Sequence, residues 1–393
     1  GSGVRLNDGD NNQIGGTAAE GNIISGNDVY GINLHNGSND NVIKANYIGT
    51  GQNLFVGLGN GSAGIRLDSS SDNSIGGTSS ELGNIISDNG GNGILIANVS
   101  NTTLVQHNRI GVNANGTALP NDLNGVRINN SSRNSLVDNW IAYNSGDGIN
   151  VTDTSQRNEI HRNNIHDNGL MGIDLDDDDV TNVNDPTDGD SGGNGLQNYP
   201  VIDTASIQTG VIEGQLLGPA STSFQIDFFR GDSCDPSGFG EGEVYLGTHA
   251  FSSDNSNEFT ASNITGFGWG DYLTATATDD LNNTSEFSIC FQCNEPLLMN
   301  LTISNNSGNI ELLIIGNQNE DEFLIYRSIN DPYFTPSTSY DQIIGNLWAD
   351  GDNDEIGNVA ENHFYLVRGQ NECGYGGDSK RVGEFDFEIV PGS

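Results

Sequence analysis

The chain has 393 residues, room for two to four domains, and is 34% hydrophobic with 54 glycines, a composition that excludes helix bundles and favours many short strands joined by turns. Its 53 acidic and 13 basic residues give a net charge of −40, which repels phosphates and anionic membranes and so excludes nucleic-acid binding. No stretch approaches the roughly 20 apolar residues of a membrane span, no signal peptide opens the chain, and so negative a surface calls for salt or bound cations, Ca²⁺ being the natural one outside a cell.

From its first residues the chain repeats. The pattern Gly-[Ile/Val]-x-[Leu/Ile/Val] occurs at Gly3, Gly31, Gly64, Gly93, Gly125, Gly148 and Gly172, with spacings between 23 and 33 residues. Two further short signals lie between copies, each an apolar residue with an Asn two places before it. The first ends at Ile14, Ile43, Ile75, Leu104, Leu136 and Ile160, behind Asn12, Asn41, Asn73, Thr102, Asn134 and Asn158. The second ends at Ile24, Ile48, Ile86, Ile110, Ile141 and Ile165, behind Asn22, Asn46, Asn84, Asn108, Asn139 and Asn163. Asn27, Asn89, Asn144 and Asn168 follow in four of the six repeats.

Three strands per repeat predict a right-handed parallel β-helix of six to seven coils over residues 1–180, with coils stacked about 4.8 Å apart. Ile, Leu and Val point inward. Asn at the turn tolerates left-handed dihedrals and bonds the equivalent Asn one coil away, so Asn22, Asn46, Asn84, Asn108, Asn139 and Asn163 form an asparagine ladder. Each Gly marks a corner too crowded for a side chain. A second period of 61 residues separates Gly3, Gly64 and Gly125. Within it, loops 49–63 and 111–124 protrude two coils apart and are expected to form a shallow groove or packing surface. The run "IGGT…GNIISGN…GINL…NVIKANYIGT" resembles the right-handed parallel β-helix repeat proteins of bacterial surfaces, in the broad pectate-lyase-like superfamily. The resemblance covers about residues 3–180 and implies a fold more than an activity.

An acidic linker over 181–202 follows. Its "GID…NDPTDGDSGGNGLQNYPV" is similar to segments that lead from such β-helices into an immunoglobulin-like module, and Asp185, Asp188 and Asp190 have the spacing of a Ca²⁺ loop. Residues 203–293 read as a sandwich of about seven strands that resembles a bacterial Ig-like domain, and 294–393 resemble a fibronectin type III sandwich. Asp350, Asp352 and Asp354 repeat the D-x-D-x-D spacing. The expected class is therefore all-β, a β-helix followed by two sandwiches. Four cysteines allow three pairings, and Cys234 with Cys290 plus Cys293 with Cys373 would staple the two sandwiches separately.

Clustered catalytic residues are missing from the repeats. The outward column of the first strands reads Arg5, Asn33, Arg66, Leu95, Arg127, Asn150 and Asp174, so Arg5, Arg66 and Arg127 form a candidate column for sugar carboxylates. His107, His161 and His166 are further candidates, and His161 and His166 flank the sixth coil near Asp153, Glu159 and Asp167, where metal or acid–base work is the expectation. The expectation is an extracellular, non-enzymatic structural protein of a cell surface, sheath or filament. The alternatives are an adhesin for a cell-surface glycan, or a polysaccharide lyase or hydrolase. Nothing like a helical or polar cap precedes Gly3, which predicts either head-to-tail self-association through that open end or further coils cut away from it.

Overall fold

The computed structural model describes residues 1–50, 58–152, 154–253 and 257–294, and beyond them the strands given below together with Ile325, Tyr326 and Cys373. Three parallel sheets run through the first part of the chain. The first has seven strands in sequence order, Val4–Asn7, Ile32–His35, Ile65–Asp68, Ile94–Ala97, Val126–Asn129, Ile149–Thr152 and Ile173–Leu175. The second has six, from Gln13–Gly15 to Glu159–His161, and the third six, from Ile23–Ile24 to Asn164–His166. Each coil contributes one strand to each sheet, so the protein is a parallel β-helix of six full coils and a one-strand seventh. No helix among the described residues is long and apolar enough to cross a membrane.

Parallel register makes the core. Ile94 aligns with Ile65 and Val126, and Ile96 with Leu67 and Ile128. Side chains alternate in a strand, so every second residue joins an inward column, and from the second coil to the fifth these columns are fully buried. The second sheet corrects one expectation. The inward residue of coil four is Val105, paired with Ile75 and Leu136, whereas Leu104 points outward. The rung is accordingly Thr103 rather than Thr102.

Polar ladders run beside the apolar ones. Asn22, Asn46, Asn84, Asn108, Asn139 and Asn163 form an unbroken series in which each Nδ2 donates to the next Oδ1 at 2.9–3.0 Å. A second series joins Asn27, Asn60, Asn89, Asn121, Asn144 and Asn168. Its rungs Asn60 and Asn121 come from the ends of the two long loops, whose insertions hid them from the spacing. A serine series through Ser38, Ser70, Ser100, Ser131 and Ser155 joins backbone N–H to the next hydroxyl. The left-handed residue is the one before the rung: Ala45, His107, Asp138 and Arg162 have φ of 52–57°. The corner glycines answer to packing instead. A Cβ on Gly125 would lie 2.4 Å from Ile141 Cγ2 and 2.6 Å from the Gly148 carbonyl.

The chain divides into two compact units. The first contains the whole β-helix and, with Val211–Phe267 and Asp271–Gln292, most of the first sandwich. That sandwich has a three-stranded sheet (Val201–Ser206, Val211–Gln215, Glu258–Ala261) and a four-stranded one (Val244–Ser252, Ser223–Gly231, Tyr272–Asp279, Phe291–Gln292). In Ser223–Gly231, Phe224, Ile226 and Phe228 enter the sandwich core, while Phe229 joins the β-helix core with Phe287, 5.4 Å away. Leu273 to Thr278 are buried on both faces of their sheet.

Cys234 and Cys290 form a disulfide bond. Cys293 and Cys373 are both buried, and no disulfide bond joins them. The second unit, which holds Cys293–Ser393, has antiparallel sheets. One is Asn300–Asn306, Asn309–Ile315 and Leu347–Ala349; the other is Asp341–Ile343, Glu322–Ile329, His363–Asn371 and Gly374–Asp378, with Val382–Gly383 on His363–Asn371.

Thr103 keeps the ladder's N–H bond to Asn134 but leaves its own buried hydroxyl without a partner. Thr103→Asn should complete the series Asn41, Asn73, Asn134, Asn158 and stabilise the unit by about 1 kcal/mol, read as a rise of about 2 °C in Tm. Cys234→Ala opens a loop of 56 residues and should cost about 4 kcal/mol by denaturant titration.

Candidate functional site

The outward column of the first sheet is occupied by internal contacts. Arg5 donates to His35 Nε2 at 2.7 Å. Arg66 pairs with Asp68 at 2.7 Å and lies over the Tyr30 ring. Arg127 pairs with Asp177 at 2.8 Å. Arg66 and Arg127 are thus half buried against their own neighbours, while Arg5 is exposed.

The C-terminal end of that column is acidic. After Ile173–Leu175 the run of aspartates doubles back over the sheet through left-handed residues Asp176, Asp177 and Asp179. It meets Asp147, from the turn before the sixth coil, and Asp174. Oxygens of Asp147, Asp174 and Asp179 all lie within 4.8 Å of one another. Asp147 is 2% and Asp174 0% exposed. Burial foremost, with neighbouring carboxylates adding to it, pushes Asp147 up to about 6 and Asp174 to about 7. The Met171 N–H donates to Asp147 and the Asp177 N–H to Asp174. Carboxylates this deeply covered do not reach a polysaccharide chain, so their shifted protonation does not make them its acid and base.

The sequence-predicted metal loops fare differently. Asp185 accepts from the Gly189 N–H and the Thr187 hydroxyl, and Asp188 accepts from the Asn198 N–H at 2.8 Å. Asp190 is exposed. Burial foremost, with the neighbouring Asp185 carboxylate adding to it, pushes Asp188 up to about 6. Segment 181–202 is tied down by Asn182, Asn184 and Asn198. Asp350, Asp352 and Asp354 lie outside the described residues, as does Asp153. His161 pairs with buried Asp227 at 2.6 Å, and His166 accepts from Trp140 Nε1 and pairs with Asp167.

A site that sequence reasoning missed is the seam between the last coil and the first sandwich. Each sheet of the β-helix ends there on a sandwich group. Glu286 accepts from the Leu175 and Asn182 N–H groups at 3.0 and 2.7 Å. Thr284 and Asn283 accept from the Ile160 and Arg157 N–H groups. Gly242 exchanges both backbone bonds with Ile165. Glu241 accepts from the Asp167 and Asn168 N–H groups and takes the place of the next rung after Asn168. No repeat announces Glu241 or Glu286, because each occurs once.

A family model described as "Periplasmic copper-binding protein (NosD)" matches residues 58–179. No curated protein matches the chain. Among solved structures, two substituted forms of the periplasmic alginate epimerase AlgG are each 23% identical, with a TM-score of 0.35, over 44% of this chain and 34% of theirs. The chain therefore spans about a third of the length of those structures. Chicken CNTN1 FN1–FN3 domains are 9% identical, with a TM-score of 0.29, over 48% of this chain and 66% of theirs. Copper is poorly served by the residues present: among the described residues the one group with metal-site spacing is all aspartate, whereas copper sites favour imidazole and sulfur donors.

Burial pushes Glu241 and Glu286 up to about 7. With a folded pKa above the unfolded one, the folded unit holds more protons than the unfolded chain between about pH 4.5 and 7. The stability these two groups contribute is complete below about pH 4.5 and is lost as pH rises through 7. Tm should fall from pH 5 to pH 8, and the Glu241→Gln/Glu286→Gln double variant should show a shallower fall in a calorimetric pH series.

Proposed function

We propose that the chain works outside the cytoplasm as a non-catalytic structural module: a rigid β-helical arm fixed to a first, Ig-like sandwich and followed by a second, fibronectin type III-like one. The observation that carries this reading is where the repeated polar residues go. Asn and Ser side chains that recur from coil to coil are used inside the stack, and the perturbed carboxylates Asp147, Asp174 and Glu286 are buried. The extracytoplasmic setting is supported by the disulfide bond and by the periplasmic protein that the matched family model names.

Open-ended filament growth does not belong to this reading. Head-to-tail stacking needs an open coil face at both ends of the β-helix, and the first sandwich occupies the last coil's face. Light scattering and electron microscopy of the 393-residue chain should show discrete species; long filaments would contradict this arrangement.

A second reading, glycan binding, is favoured by the outer face of the third sheet. A cleft of about 260 Å³ there is lined by Tyr47, Ile85, Arg109 and Glu81, and Arg109 stacks on Trp140 at 5.7 Å. Titration with alginate and polygalacturonate tests it. Binding that Arg109→Ala abolishes would support adhesion, and unsaturated or epimerised products would overturn the non-catalytic reading.

A further inference from the structure

The acidic pocket at the end of the first sheet holds one side chain whose bonding is incomplete. Asn150 is fully buried. Its single amide nitrogen, with two hydrogens, faces three carboxylate oxygens: Asp147 Oδ2 at 3.1 Å, Asp174 Oδ2 at 3.1 Å and Asp177 Oδ1 at 3.0 Å. At least one of these contacts lacks a hydrogen. Its Oδ1 is buried without a hydrogen-bond partner. Of the four carboxylates, Asp177 has Arg127 as a counter-charge, and no salt bridge to Asp147, Asp174 or Asp179 is present among the described residues.

We propose that Asp147, Asp174, Asp179 and Asn150 bind a divalent cation of the hard, oxygen-preferring class, Ca²⁺ foremost. The nitrogen of Asn150 stands where positive charge is wanted. Turning that amide over brings Oδ1 in among the carboxylates as a neutral oxygen ligand, with the cation replacing the positive edge of the amide. The carboxylate oxygens of the three aspartates all lie within 4.8 Å of one another, close enough for one cation to touch all three. Donors that are all oxygen disfavour copper and zinc. Asp179 is exposed, so an ion enters from solvent on its side and meets the buried ligands behind it. Bound there, it would clip the acidic exit segment onto the fifth and sixth coils. The site does not depend on the structural reading of the whole chain, since an adhesin would carry it equally well.

The experiment uses the full chain, stripped with a chelator and dialysed. Calorimetric titration with CaCl₂ alone should show a site whose occupation raises Tm. Asp179→Asn, an exposed change that leaves the fold intact by circular dichroism, should weaken that site about tenfold or more, and Asp147→Asn should do the same. Asp190→Asn and Asp352→Asn, in the other acidic loops, should leave it unchanged. No Ca²⁺ binding by the folded wild-type chain up to millimolar concentration would overturn the proposal, as would binding indifferent to both Asp179→Asn and Asp147→Asn. Tight Cu²⁺ binding with the same variant sensitivity would overturn its oxygen-only assignment.

Discussion

A coil in a parallel stack satisfies half of its backbone on the coil before it and half on the coil after. That dependence governs the molecule. Within the stack it costs nothing, since every coil finds a neighbour in register; at an end it leaves a row of N–H and C=O groups and an apolar cross-section exposed. The first sandwich resolves this at the C-terminal end with unlike groups matched to three unlike sheet edges. Glu286 serves the first sheet, Thr284 and Asn283 the second, and Gly242 with Glu241 the third, while Phe229 and Phe287 cover the core. The β-helix and the sandwich are therefore one folded unit, joined through a seam that must be dry for the core and hydrogen-bonded for the edges.

The same requirement explains a core so rich in polar residues. Turns between short strands have no regular pairing of their own, and a buried turn with unmatched groups is costly. An Asn at a rung accepts from the coil before it, donates to the coil after it and also reaches a nearby carbonyl, as Asn108 does toward Ile75. Stacked, these amides turn the interior corners into continuous hydrogen-bonded columns. This is why a chain only 34% hydrophobic still encloses an apolar centre.

Charge is concentrated where the repeat stops. Inside the stack, acidic residues are spaced a coil apart and face solvent or a partner, as Asp138 does with Arg162. Past Leu175 the aspartates fold back onto the last coils, and burial with mutual repulsion raises the affinity of Asp147 and Asp174 for protons. The seam carboxylates Glu241 and Glu286 feel the same burial from the sandwich side. Ionisable groups with raised proton affinity thus gather on both sides of the junction of the two parts.

What the sequence determined by itself was everything that recurs. The glycines, the inward Ile columns and the ladder from Asn22 to Asn163 could be read because a stack forces equivalent residues into equivalent places, so periodicity is structure. The reading slipped by one residue at Leu104, where Thr103 breaks the Asn signal, and it missed Asn60 and Asn121, where long insertions precede the rung. Two strands of the first sandwich, Val244–Ser252 and Tyr272–Asp279, were also legible from their alternation. Only the tertiary structure decided what occurs once: the union of sandwich and β-helix, the capping roles of Glu241 and Glu286, the separate thiols of Cys293 and Cys373, and the meeting of Asp147, Asn150, Asp174 and Asp179. Those residues are brought together by a chain that reverses over itself after the last coil, and a single reversal leaves no period to read.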